Sequence, residues 1–257
     1  MKTVLIKCGG STIEELSKDF FSSLHELRHQ GYKIIIVHGG GPDINQMLKL
    51  LNVEPEFVNG LRKTSKATLK VVETVLSGQT NRKLVEKLTE HGLKAIGLNG
   101  SDADLLKGSY IDKDQLGYVG DVTSVNSEFL ELILKRDLIP VITPIALAED
   151  GAKLNVNADY AAAAIARALK VDQCLFVTDV EGIMINGSVK KSISVTEIES
   201  YINHGQIYGG MVPKVVSAIT ALEKGIEGVR IVAGKKGFYE NQLWLGTKII
   251  GRERIVE

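Results

Sequence analysis

Several short stretches of the chain set a single cation or amide beside bare backbone. "IKCGGS" puts Lys7 just ahead of Gly9 and Gly10, and "IIIVHGGGP" runs an apolar stretch into His38, Gly39, Gly40 and Gly41. "NGLRKT" carries Arg62, "LNVNADYAAAAIARAL" carries Asn155, Asn157 and Asp159, and "GGMVPKV" carries Lys214 behind Pro213. Glycine inside regular structure costs about 0.5–1 kcal/mol relative to alanine. Three in succession mark a place where a Cβ would obstruct, either a very tight turn or a ligand against the backbone. Two further strand ends, "LNGSDAD" (98–104) and "VTDVEGI" (177–183), are also glycine-rich or small and polar. Backbone N–H groups in such turns, and at the helix starts that follow, bind anions. Ligands of open α/β sheets lie beyond the carboxyl ends of the strands, so four such ends favour one extended anionic ligand.

The side chains at these points each read in two ways. Lys7 ends a buried strand and points its ammonium into the crevice, or it snorkels from an edge. Arg62 is a surface residue on a hairpin, or a planar fork that takes a carboxylate in bidentate fashion. Asn157 suits a helix N-cap, which leaves Asn155 and Asp159 unexplained. Lys214 is solvated, or it stands at a helix start whose positive dipole draws an anion to it. His38 reads as structural. There is no G-x-x-x-x-G-K-[ST], because "AGKKG" (233–237) lacks the first glycine and the hydroxyl. No strand is followed by G-x-G-x-x-G, and neither zinc-ligand spacing nor a G-x-S-x-G elbow is found.

The elements that must position these residues are short apolar runs alternating with helical patterns. Strand candidates are 3–7, 33–38, 94–99, 138–144, 173–179 and 229–234; helix candidates lie near 15–30, 43–52, 65–91, 126–136, 157–169, 194–203 and 211–225. The strand runs are apolar over most of their length, as suits strands buried on both faces. The order predicts an α/β fold, a three-layer αβα sandwich around a mainly parallel central sheet. Segments 57–66 and 107–123 read as hairpins or loops on the rim. No Pro/Ser-rich linker divides the chain, so the sheet is expected to be continuous, with two halves meeting near 165–175.

Composition narrows the function classes. The 257 residues carry 31 Lys+Arg against 31 Asp+Glu, which argues against nucleic acid as the main partner. Cys8 and Cys174 are too few and too far apart for a disulfide framework and read as reduced core residues. No apolar run has the length of a membrane span. "MKTVLIKCGG" is too short for a signal peptide, so the expected compartment is the cytoplasm.

Taken in order, "IKCGGS", "IIVHGGGP", "NGLRKT", "LNVNADYAAAAIA", "FVTDVEGI" and "GGMVPKV" resemble the amino-acid kinase superfamily, and within it the acetylglutamate kinases of arginine biosynthesis. The resemblance implies that ATP passes its terminal phosphoryl group to the side-chain carboxylate of N-acetyl-L-glutamate, giving an acyl phosphate. It implies an acceptor-binding and dimerisation lobe over residues 1–170 and a nucleotide lobe over 171–257, within one continuous domain. Lys7 and Lys214 would stabilise the charge in transfer, with Asp159 orienting both by ion pairing. Gly9 and Gly10 would serve the phosphates. Gly40, Gly41, Arg62 and Asn155 would hold the acceptor, and Asp179, Val180, Gly182, Ile183, Met184 and Gly209 the nucleotide. Mg²⁺ would bridge the ATP phosphates with few protein ligands. A γ-carboxylate, with a reference pKa of about 4.3, is already ionised at pH 7 and needs no general base.

The resemblance also implies a homodimer, with Val71, Val72, Val75 and Leu76 of 65–91 as candidate apolar surface. Only Met1 and Lys2 precede the first strand, so the N-terminal helix that links arginine-sensitive hexamers is not expected, nor is inhibition by arginine. An aminoadipate-type kinase of lysine biosynthesis would share nearly every motif. A non-catalytic amino-acid or nucleotide sensor on the same fold is disfavoured by the joint retention of Lys7, Asp159 and Lys214.

Overall fold

The computed structural model describes residues 2–226 and 228–251. Met1, Glu227 and residues 252–257, and with them the expected end of the nucleotide lobe at 257, lie outside the described residues. The strands that build the core are β1 (Thr3–Cys8), β2 (Lys33–His38), β3 (Ala95–Asn99), β4 (Leu106–Tyr110), β5 (Val119–Val125), β6 (Ile139–Thr143), β7 (Ile145–Ala148), β8 (Lys153–Val156), β9 (Gln173–Thr178), β10 (Ser192–Ser194), β11 (Val229–Ala233) and β12 (Thr247–Ile250). The α-helices of eight or more residues are α1 (Lys18–His29), α2 (Gly41–Leu50), α3 (Lys66–Glu73), α4 (Asn81–Glu90), α5 (Ser127–Lys135), α6 (Ala158–Ala168), α7 (Val195–Asn203) and α8 (Met211–Glu223).

The central sheet has the order β10-β12-β11-β9-β1-β2-β6-β3. All its pairings are parallel except β11 with β12. Alternate residues of each central strand feed two cores. Val4, Ile6, Ile34 and Ile36 pack with Phe20, Phe21 and Leu24 of α1 and Leu84 and Leu88 of α4. Leu5, Ile35, Val37 and Phe176 pack with the alanine run of α6 and with Ala218 and Ala221 of α8. Each fully buried Leu, Ile, Val or Phe contributes about 1.5–3 kcal/mol, which holds the three layers together. The alanines let α6 lie close on the sheet and bring its N-terminus to the end of β1. The cysteines are free and buried, and burial pushes both thiols up to about 12.

Segment 107–123 forms the expected hairpin, with β4 antiparallel to β5, and that hairpin closes with β7 and β8 into a four-stranded barrel. The closure depends on parallel pairings between strands distant in sequence, which hydrophobic periodicity does not show. One expectation needs correction. The stretch 65–91 is two α-helices joined by a π-helical turn, Thr74–Thr80. That turn directs Val72, Val75 and Leu76 into the protomer, where they are almost fully buried against Ile44, Leu48 and Ile145, with Val71 packed alongside. These side chains serve the protomer's own core and are not free dimer surface.

Candidate active site

Lys7 is the last residue but one of β1 and lies on the face shared with Leu5, toward α6. Its ammonium meets Asp159 at 2.7 Å from Oδ1, and both side chains are largely buried. Asp159 sits in the first turn of α6, which Asn157 caps by accepting from the Asp159 N–H at 2.8 Å. The other carboxylate oxygen, Oδ2, accepts from Ser217 Oγ of α8 at 2.8 Å. Lys214, one turn earlier on α8, pairs with Asp179 at the end of β9. Asp159 therefore holds one lysine here, not both. The Lys214 ammonium holds the Asp179 carboxyl below the usual carboxylate range.

The glycines divide into two kinds. A Cβ on Gly10 would lie 2.6 Å from Gly40 Cα, and one on Gly40 would lie 2.5 Å from Leu76 Cδ2. Those two let the loops after β1 and β2 pack against each other and against the π turn. Gly41 has no protein atom within 4 Å of its Cβ position, and a Cβ on Gly9 would meet only Thr12 and Ser11, no nearer than 3.6 Å. Here the open side is a cavity. The helical segments that start after Gly9, Gly40 and Gly210 have no side-chain cap, so their first N–H groups keep the donor capacity that a cap would take.

A cavity of about 270 Å³ lies over the ends of β1 and β2 and is bounded by Lys7, Gly9, Gly10, Gly39, Gly40, Gly41, Arg62, Asn155 and Asp159, with Ile44, Phe57, Leu61, Leu76 and Val156 as apolar wall. Arg62 reaches it from the hairpin Phe57–Val58/Leu61–Arg62. Its guanidinium covers the Phe57 ring at 4.7 Å, and Nη2 donates to Asn45 Oδ1 at 2.6 Å. Nη1 is buried without a partner, and burial lowers the side chain's pKa. A buried cation left without an anion is costly, and a carboxylate in the cavity would relieve that cost. Asn155, at the barrel edge, donates Nδ2 to Thr64 Oγ1 at 3.1 Å.

A second cavity of about 190 Å³ adjoins the first and shares Lys7 and Asp159 with it; Phe176, Val177, Thr178, Pro213, Lys214 and Ser217 form the rest. The sequence reading missed Asn45, Thr64, Thr178 and Ser217, because small polar residues give no signal until the fold supplies their partners. Near this cavity, Asp179 and Met184 are about half exposed. Ile183 is buried in the core and its N–H goes to Thr247 Oγ1 at 2.8 Å, while the Val180 N–H reaches Thr178 Oγ1 at 3.3 Å. Gly182, with φ 156°, has Thr247 2.5 Å from its Cβ position, and Gly209, with φ 56°, precedes α8 in the open.

His38 is fully buried. Nε2 accepts from Asn81 Nδ2 at 3.1 Å, Nδ1 donates to the Gly39 carbonyl at 3.1 Å, and burial lowers its pKa to about 4. It is a neutral core residue. A larger cavity of about 880 Å³ lies beside the barrel around Asp104, Lys107 and Asp150 and includes none of the candidate residues; size alone does not mark the site. Among the described residues no group of three or more His, Cys, Asp or Glu side chains converges on a metal position.

A glycine-lined crevice at the ends of parallel strands, with a second lysine-bearing cavity beside it, suits the transfer of an anionic group. The chain belongs to the amino acid kinase family, whose match spans residues 2–233. Its relatives are acetylglutamate kinases. The protein of that name from Geobacillus sp. (strain WCH70) is 53% identical over 248 residues, 96% of each chain. That from Bacillus licheniformis is 49% identical over 255 residues, 99% of each chain. Among solved structures, smu.665 from Streptococcus mutans superposes with a TM-score of 0.83 at 34% identity, covering 96% of this chain and 98% of the other.

Proposed function

We propose that this chain is an ATP-dependent kinase that phosphorylates the side-chain carboxylate of N-acetyl-L-glutamate, a step of arginine biosynthesis. The observation that carries this reading is the pair of adjoining cavities sharing Lys7 and Asp159, one of which holds a buried Arg62 nitrogen without a partner. Arg62 binds the acceptor's α-carboxylate, with Asn155 and the Gly40–Gly41 backbone on its amide and side chain. ATP occupies the other side, with its phosphates against Gly9, Gly10, Lys7 and Lys214 and its nucleoside toward Asp179, Met184 and Gly209. Gly182 and Ile183 shape that loop through Thr247.

In the transfer, a γ-carboxylate oxygen bonds to the terminal phosphorus as the bond from that phosphorus to the β–γ bridging oxygen breaks, and ADP leaves with the electron pair. Positioning and electrostatic stabilisation supply most of the catalysis in such reactions. Lys7 faces the equatorial oxygens and Lys214 the leaving oxygens. Mg²⁺, when bound with ATP, neutralises phosphate charge; the lysines and glycine N–H groups fit a nucleotide that brings its own metal.

We further read the residues 1–170 as the acceptor half and 171–257 as the nucleotide half. The enzyme works as a cytoplasmic homodimer, and a monomeric mass by light scattering at micromolar concentration would sink the dimer. Among the described residues no helix is long and apolar enough to cross a membrane. The activity is tested with ATP, Mg²⁺ and hydroxylamine, which traps acyl phosphates. N-acetylglutamate should give hydroxamate, and free glutamate and N-acetyl-2-aminoadipate should be poor. Equal kcat/KM for all three would contradict the assignment.

A further inference from the structure

Thr64 has no part in the reading above, yet its hydroxyl lies between the two residues assigned to the acceptor. Its side chain is fully buried. Its main chain pins the Arg62 hairpin to the barrel: the Thr64 N–H donates to the Leu116 carbonyl at 2.8 Å, and the Tyr118 N–H donates to the Thr64 carbonyl at 2.7 Å. The Asn155 N–H donates in turn to the Tyr118 carbonyl at 2.9 Å. Thr64 Oγ1 stands 2.7 Å from the Arg62 carbonyl oxygen and 3.1 Å from the Asn155 side-chain amide. Two oxygens that close need a hydrogen between them, and a carbonyl has none, so the hydroxyl donates its single hydrogen there. Toward Asn155 it can then only accept. Asn155 must turn its NH2 to Thr64, which leaves Oδ1, an acceptor, for the cavity that Asn155 lines with Arg62.

We infer that Thr64 is a positioning residue that fixes the polarity of the Asn155 amide. Oδ1 then accepts from the acceptor's amide N–H, while Arg62, tied to the same hydroxyl through its carbonyl, takes the α-carboxylate. The inference deepens the kinase reading and rests on it. An acceptor with an ester oxygen in place of that N–H sets lone pairs against Oδ1 and is rejected. Without the Thr64 hydroxyl, nothing on that side sets the direction of the Asn155 amide. It turns over and offers NH2 to the ester as readily as Oδ1 to the amide. The loss falls equally on bound substrate and transition state, so it appears in the acceptor KM.

The test compares N-acetylglutamate with 2-acetoxyglutarate, the same skeleton with oxygen for N–H, by ADP release in the wild type, Thr64→Val, Thr64→Ala and Thr64→Ser. The wild type should favour the amide by at least about tenfold in kcat/KM. Thr64→Val keeps the shape and lacks the hydroxyl. Its KM for N-acetylglutamate should rise about tenfold with kcat within about threefold, and its preference for the amide should fall below about threefold. Thr64→Ser should restore both. A wild type that uses the ester as well as the amide overturns the inference without any variant. So does a preference in Thr64→Val within about twofold of wild type, the result expected of a hydroxyl that serves stability alone. If Thr64→Val gives no cooperative thermal transition, Thr64→Ala carries the same prediction at smaller volume. A wild type that phosphorylates neither compound overturns the kinase reading instead, so the two failures are distinct.

Discussion

At the scale of single residues, groups that bind and groups that act on developing charge respond differently to substitution. Lys214→Ala should lower kcat by at least tenfold with little change in acceptor KM, because its partner is the charge formed in transfer. Arg62→Lys should do the reverse. A point charge replaces a fork held by Asn45 and Phe57, so acceptor KM rises and kcat is largely kept. Steady-state kinetics checks both, and the crossed pattern would contradict the roles. His38 gives a stability prediction. Its ring is neutral in the fold with a pKa of about 4 against 6.5 when unfolded. The unfolded chain therefore takes up a proton first as pH falls. The stability from a neutral His38 is complete above about 6.5 and is lost between about 6.5 and about 4, amounting to about 3 kcal/mol. Urea midpoints across that range should show the fall, and His38→Asn should flatten it. Lys7, Arg62 and Asp159 stood out in the sequence because each sits in or beside a stretch rich in glycine or small polar residues, and the structure brings all three around one cavity. Ser217, Asn45 and Thr64 did not stand out, since each takes its meaning from a partner distant in sequence.

At the scale of elements, the two kinds of glycine predict opposite outcomes for the same substitution. Gly10→Ala drives a Cβ to 2.6 Å from Gly40 Cα. Relief requires backbone movement, and the fold should lose about 1–3 kcal/mol. Gly41→Ala meets no protein atom within 4 Å and stands at a helix start where alanine is well tolerated. Its stability should stay within about 0.5 kcal/mol of wild type, while acceptor KM rises because the methyl intrudes on the cavity. Thermal unfolding paired with KM measurement distinguishes them, and a stable Gly10→Ala would refute the packing argument. The central strands and most helices were readable because their runs are buried on both faces or capped by Ser17, Ser65, Asn126, Asn157 and Ser194. The barrel was hidden because its strands are short and its closure is non-local: Lys153–Val156 is four residues long, forms a hairpin with Ile145–Ala148, and joins Val119–Val125 only through a parallel pairing distant in sequence.

At the scale of the whole molecule, the sheet brings the ends of β1, β2 and β9 to one edge, so that segments as distant as Lys7, Asp159 and Ser217 enclose one junction. The α/β class and its parallel sheet followed from alternation of runs along the chain, whereas the meeting of the two cavities at Lys7 and Asp159 depends on the third dimension. The central claim is that a phosphoryl group crosses this junction onto the acceptor's side-chain carboxylate. The direct measurement is ³¹P NMR of a reaction with ATP, Mg²⁺ and N-acetylglutamate labelled with ¹⁸O in that carboxylate. The account predicts an acyl phosphate resonance shifted upfield by a labelled bridging oxygen. An acyl phosphate without the label, or ATP consumed with inorganic phosphate as the sole product from the first turnover, would contradict it.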